Sequence, residues 1–190
     1  MYNNWYDLKS DCGTCRKCPL GETRTNLVFG VGNENAEVML IGEGPGEQED
    51  LQGEPFVGKS GQLLDKYLAA IELDRNKNVY IANIVKCRPP HNRDPKPEEQ
   101  DACISWLKEQ TRLIHPKIIV CVGRIAAQRL MDPNFRVTKQ HGEFINRNGF
   151  LMMGTFHPAA LLRNPSQKPD AFEDFLALRE KIKETCENTY

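Results

Sequence analysis

The sequence predicts an α/β fold, a three-layer αβα arrangement around a central, mostly parallel four-stranded sheet, with residues 1–190 forming one domain. Three observations predict it. Four apolar runs of strand length, Val38–Ile41, Val79–Val85, Ile118–Val122 and Phe150–Phe156, punctuate the chain. Segments with helical periodicity separate the first three, an alternation that builds parallel sheets covered on both faces. At 190 residues the chain is long enough for one sizeable core and short for two.

Taken in order, residues 1–35 hold a cysteine cluster and a polar, glycine-dotted connection. The first strand run leads directly into Gly42–Asp50, GEGPGEQED, where three glycines and a proline within five residues cannot continue a strand. This reads as a loop at the carboxyl end of a buried strand, the place where open α/β sheets bind ligands, and Glu43, Glu47, Glu49 and Asp50 crowd negative charge there. Gln62–Leu73 puts Leu63, Leu64, Tyr67, Leu68 and Ile71 on one helical face, and Pro97-Glu98-Glu99 suits the first turn of a second helix. Arg124–Met131 predicts a short third helix. Residues 134–156 predict a hairpin turning near Asn146–Gly149, and Ala171–Glu184 an amphipathic closing helix.

Composition narrows the function. With 25 Lys and Arg against 26 Asp and Glu the formal net charge is −1, so any polyanion site must be a local patch. The first twelve residues lack the basic and apolar regions of an export signal, and no apolar run approaches the roughly 18 residues of a membrane span. A cytoplasmic, membrane-free, monomeric protein is the expectation. Seven cysteines in such a chain favour metal or catalytic thiols over a disulfide framework.

Cys12, Cys15 and Cys18 recur at every third position, with Cys87 and Cys103 far along the chain. Thiolate-only ligation suits either zinc or an iron–sulfur cluster, and the lack of a second Cys-x2-Cys knuckle favours the cluster. Cys121 reads as a small core residue, and Cys186 likewise. Gly53–Ser60 matches the phosphate-loop pattern G-x-x-x-x-G-K-[ST], but Pro55 has no N–H, Glu54 would repel an anion, and no apolar strand run precedes it. Lys59 and Ser60 still suit the positive end of the following helix, where a nucleic-acid phosphate can sit. Lys86, Arg88, Arg93 and Lys96 make a basic, proline-stiffened loop opposed only by Asp94, and His157 again follows a strand run directly.

These residues carry a specific resemblance. Cys15 to Leu20, the loop Gly42 to Asp50, the segment Pro55 to Leu64, Asn83-x-Val85-Lys86-Cys87-Arg88-Pro89-Pro90, and His157-Pro158-Ala159 through Arg163 together resemble the family 4, iron–sulfur uracil-DNA glycosylases. The resemblance implies an enzyme that flips uracil out of DNA and hydrolyses its bond to the sugar, with a 4Fe-4S cluster on Cys15, Cys18, Cys87 and Cys103 and with Cys12 spare. It further implies that Phe56 stacks on the base, Asn83 reads its edge, and Glu49 excludes the 5-methyl of thymine. His157 would stabilise charge on the leaving base, while Glu43 with Gly44 and Pro45 positions water, Glu43 serving as base, as counter-charge or as scaffold. Leu161 would wedge into the duplex, with Arg163, Arg88, Lys59 and Ser60 near the backbone. The related branch that bonds covalently to DNA carries a histidine-bearing insertion absent here, so hydrolysis is expected. From another class, a non-catalytic iron–sulfur protein that binds DNA or carries electrons would need none of Phe56, Asn83 and His157.

Overall fold

In the computed structural model, which describes residues 1–190, the four apolar runs form the centre of a six-stranded sheet. The strands are β1 (Val31–Gly32), β2 (Val38–Gly42), β3 (Val79–Asn83), β4 (Ile118–Val122), β5 (Phe144–Arg147) and β6 (Phe150–Thr155), in the order β1-β3-β2-β4-β6-β5. The central four are parallel, as expected, and β1 and β5 add antiparallel edges. Every residue of β2, β3 and β4 is buried, because helices cover both faces.

Alternation along the strands sorts the core into two layers. Met39 and Ile41 of β2 face a cluster with α1 (Trp5–Gly13), α5 (Pro97–Ile114) and α6 (Arg124–Leu130). Val38 and Leu40 face the other, built on α4 (Lys59–Ala70), α8 (Pro158–Arg163) and α9 (Lys168–Thr185). Three short helices complete the chain: α2 (Leu20–Thr23), α3 (Glu47–Gln52) and α7 (Val137–Gln140). None of the helices is long and apolar enough to cross a membrane.

Local chemistry explains where the structure departs from expectation. The N-terminal segment is helical over α1, capped by Asn4, whose side chain accepts from the Asp7 amide at 2.8 Å. The acidic loop is irregular only to Gly46; α3 then forms and ends at Gly53, at φ 78°. β3 ends at Asn83 rather than Val85, because the amides of Ile84 and Val85 bond the carbonyls of Gly42 and Glu43 at 2.9 and 3.1 Å. The hairpin is shorter, since its first residues coil into α7, but its turn falls at Asn148-Gly149, both at positive φ, as a two-residue type I′ turn requires.

Phe56 is held at φ 53°, an uncommon conformation for an aromatic residue, and helix α4 packs onto its backbone. A Cβ on Gly61 would stand 1.8 Å from the Phe56 carbonyl oxygen. Gly61→Ala should therefore destabilise the protein by about 1–3 kcal/mol in denaturant titrations, although alanine is the better helix former. Gly13→Ala, whose Cβ would meet nothing within 4 Å, should be neutral or stabilising. Equal midpoints for the two variants would refute this account of Gly61.

Candidate active site

The parallel strands deliver their carboxyl ends to one edge, and a cleft of about 680 Å³ opens there. Its lining includes Glu43, Gly44, Pro45, Glu49, Phe56, Ser60, Asn83, His157 and Arg163, so the acidic loop, the β3 terminus and the β6 terminus meet. Gly42 pairs with Asn83 across β2 and β3. A Cβ on Gly42 would lie 2.5 Å from Asn83 Oδ1 and 2.6 Å from Phe56 Cζ, so only glycine leaves room for amide and ring. Asn83 is buried, and its Oδ1 is the one buried side-chain polar atom without a hydrogen-bond partner.

Phe56 is fixed from behind. Arg75 donates to the carbonyls of Pro55 and Phe56 at 2.8 and 2.6 Å and pairs with Asp65 at 2.8 Å. The Phe56 ring lies 5.7 Å from the His157 imidazole, tilted by 33°. His157 caps α8: its Nδ1 accepts from the Ala159 amide at 3.1 Å, which leaves the ring proton on Nε2. Burial, reinforced by Arg163 and opposed by Glu49, pushes His157 down to about 4, so the ring is neutral at pH 7. Gly123, at φ 95°, lets this ring approach; a Cβ there would be 2.8 Å from that of His157.

Glu49 is a brace as well as a lining residue. One carboxylate oxygen accepts from the amides of Val57 and Gly58 at 2.9 and 3.1 Å, the other from Gly46 at 3.1 Å. The resemblance of Gly53–Ser60 to a phosphate loop thus ends with two of its amides already taken. Gly58 caps α4, leaving Ser60 at the cleft and Lys59 exposed.

Two expectations need correction. Leu161 is buried at 1 % exposure in the core beneath α8, so it cannot wedge into a duplex; the exposed neighbour is Leu162, at 41 %. Lys86 does not belong to a basic surface, being wholly buried, and the rest of that loop is partly neutralised. Arg93 pairs with Glu99 at 2.7 Å, and Arg88 lies 4.0 Å from Glu47. Sequence reasoning missed Arg75, and it gave no place at the site to Asp94 and Arg124, which pair at 2.7 Å on the cleft wall. Arg124 follows the glycine after a strand run, the same signal that marked Glu43.

Behind β3 lies a second, smaller cavity, lined by Cys15, Cys18, Cys87 and Cys103. No three His, Cys, Asp or Glu side chains in the protein are gathered so as to hold a single metal ion. Three of the four sulfurs receive N–H donors: Trp106 Nε1 to Cys15 and the Lys86 amide to Cys103, both at 3.3 Å, and Arg24 Nη1 to Cys87 at 3.2 Å. Cys12 is not in the lining; it is buried among core side chains, and burial pushes its thiol up to about 12.

The Uracil DNA glycosylase superfamily profile matches residues 29–179, and the chain belongs to that superfamily. Its relatives include the type-4 uracil-DNA glycosylases of Archaeoglobus fulgidus, 45% identical over 95% of this chain and 92% of that one, and of Thermotoga maritima, 46% identical over 81% of each. That of Sulfurisphaera tokodaii is 41% identical over 91% of this chain and 82% of its own. Within the superfamily, these identities and coverages assign the chain to the type-4 family.

Glu43 yields a pH prediction. Burial, and then Asp94, push its carboxyl up from 4.5 to about 7 against the pull of Arg124. An acid whose folded pKa is raised contributes stability that is present below the unfolded value and lost as pH rises through the folded one. Glu43→Gln should therefore melt higher than the parent at pH 8, with the gain shrinking as pH falls from 7 to 4.5. A constant difference across that window would refute the assignment.

Proposed function

We propose that the protein is a monomeric DNA-repair hydrolase that flips uracil out of DNA and cleaves its N-glycosidic bond, leaving an abasic site. The observation that carries this reading is the unpartnered Oδ1 of Asn83 at the buried end of the cleft. Such an atom costs about 1–3 kcal/mol unless a ligand supplies a donor. Uracil does so: its N3–H meets Oδ1 and its O4 accepts from Nδ2, whereas cytosine presents the reverse pattern. Phe56 supplies a face for the base, a contact that is indifferent to base identity.

The reaction needs charge handled at both ends of the breaking bond. As the bond from N1 to C1′ opens, negative charge grows on uracil, and the neutral Nε2–H of His157 donates to O2. Water adds to C1′ and yields a proton, and uracil leaves as the anion until it gains one. Glu43, with Gly44 and Pro45 of the same loop, holds that water and opposes the cationic sugar. Glu49 closes the pocket beside C5 while bracing the Gly46 and Val57–Gly58 backbones. Arg163, Lys59, Ser60 and Arg88 serve the phosphates, and Leu162 is the apolar side chain that α8 offers to the duplex.

Cys15, Cys18, Cys87 and Cys103 fit a 4Fe-4S cluster: four thiols share one cavity and three are already hydrogen-bonded through sulfur. Its contribution would be structural, tying the segment after α1, the loop after β3 and α5 to one another. Cys103→Ser should lose most of the iron of an anaerobically purified parent holding about four per chain, whereas Cys12→Ser should keep it. Normal iron in the first variant, or loss in the second, would reverse the assignment.

The function itself is tested with a uracil-containing oligonucleotide, followed by alkaline cleavage of abasic sites. The parent should cut at uracil and not at cytosine. In Asn83→Asp the donor to O4 is lost, and single-turnover excision should fall by about 100-fold or more. An Asn83→Asp variant as active as the parent would move base reading elsewhere; an inert parent would overturn the proposal.

A further inference from the structure

Lys86 is the one lysine with no exposed surface. Its ammonium donates to the Asn83 carbonyl at 3.0 Å and to Gln110 Oε1 at 2.6 Å, both neutral acceptors. No carboxylate pairs with it, and the ionisable groups that influence it are the thiols of Cys103, Cys12 and Cys87. Lys86 also belongs to the cysteine cavity: it is among the residues that line it, and its amide donates to the Cys103 sulfur at 3.3 Å. Gln110 is held in turn, donating to the Phe29 carbonyl at 2.9 Å.

A buried cation needs a counter-charge, and so does a buried anion. Four thiolates outweigh the positive charge of a four-iron core, so the loaded cavity is net negative. We propose that Lys86 is the buried counter-cation of the cysteine-bound cluster and, through its bond to the Asn83 carbonyl, the positioning residue that couples the cluster to the base-reading amide. The role requires that Cys15, Cys18, Cys87 and Cys103 hold the cluster proposed above. It accounts for the short spacing of Asn83, Lys86 and Cys87, which lets one segment touch both sites.

The test uses parent, Lys86→Met, Gln110→Glu and Gln110→Leu, all purified anaerobically as full chains. In Lys86→Met, iron release to a chelator should be about tenfold faster, as for loss of a partner supporting metal ligands. Removing the positive charge should also disfavour the reduced cluster about tenfold, a midpoint potential about 59 mV lower for a one-electron couple. Free uracil should bind this variant about tenfold more weakly, because the Asn83 carbonyl has lost the lysine that helps to hold it. Gln110→Glu keeps the lysine and its acceptor, loses the donation to the Phe29 carbonyl and adds a negative charge, so it should lower the potential more than Gln110→Leu, which loses both bonds without adding charge. That pair decides the matter if Lys86→Met fails to fold. Equal potentials in the two Gln110 variants would overturn the counter-cation role, and unchanged uracil affinity in a folded Lys86→Met would overturn the coupling. A parent that holds zinc or no metal would overturn the cluster reading, and this role with it.

Discussion

A polar atom shut away from water without a partner costs free energy that the surrounding structure must supply, and in this protein that atom is Asn83 Oδ1. Much of the site is arranged to keep it there. Parallel pairing with Gly42 fixes the end of β3, and the Ile84 and Val85 amides carry the chain onward along the Gly42 and Glu43 carbonyls. The amide therefore has few conformations in which to find a partner of its own. In the proposed reaction selectivity would rest on that deprivation, since a side chain satisfied within the protein would gain little from a base edge.

The same economy governs shape. Gly42 leaves space for the Phe56 ring, Gly61 for the Phe56 backbone, and Gly123 for His157. Phe56 holds its left-handed conformation because Arg75 fastens its carbonyl and that of Pro55. Strain and enclosure are thus met during folding, so in the proposed reaction a flipped base would enter a pocket whose face and edge are already set.

Much of this was legible in the sequence, for physical reasons. The central strands are buried on both sides, so they stand out as unbroken apolar runs, and the sheet fixes which loops share its carboxyl edge. The cysteine spacing is local for Cys15 and Cys18, and the family likeness paired them with Cys87 and Cys103. The rest depends on tertiary context that periodicity does not carry. Helix α1 buries only Leu8 and Cys12, too few for an apolar face to stand out. The edge strand β1 is two residues long. Leu161 and Leu162 are adjacent and chemically identical, and only the packing of α8 decides which one is buried. Lys86 looked like one charge among several in a basic loop, because nothing in the sequence marks a lysine whose acceptors are a backbone carbonyl and a glutamine on a distant helix.

The electrostatics of the cleft follow from its depth. Burial drives Glu43 towards its acid form and His157 towards its neutral form. In the proposed reaction the neutral form of His157 is the useful one, since it would donate from Nε2. The role proposed for Glu43 needs the charged form, and DNA phosphates would oppose it by raising its proton affinity further. Arg124 is the counterweight on the cleft wall, partly engaged by Asp94. The enclosure that makes the Glu43 charge costly would also make it effective in the proposed role, because a carboxylate facing a cationic sugar is screened least where water is scarce.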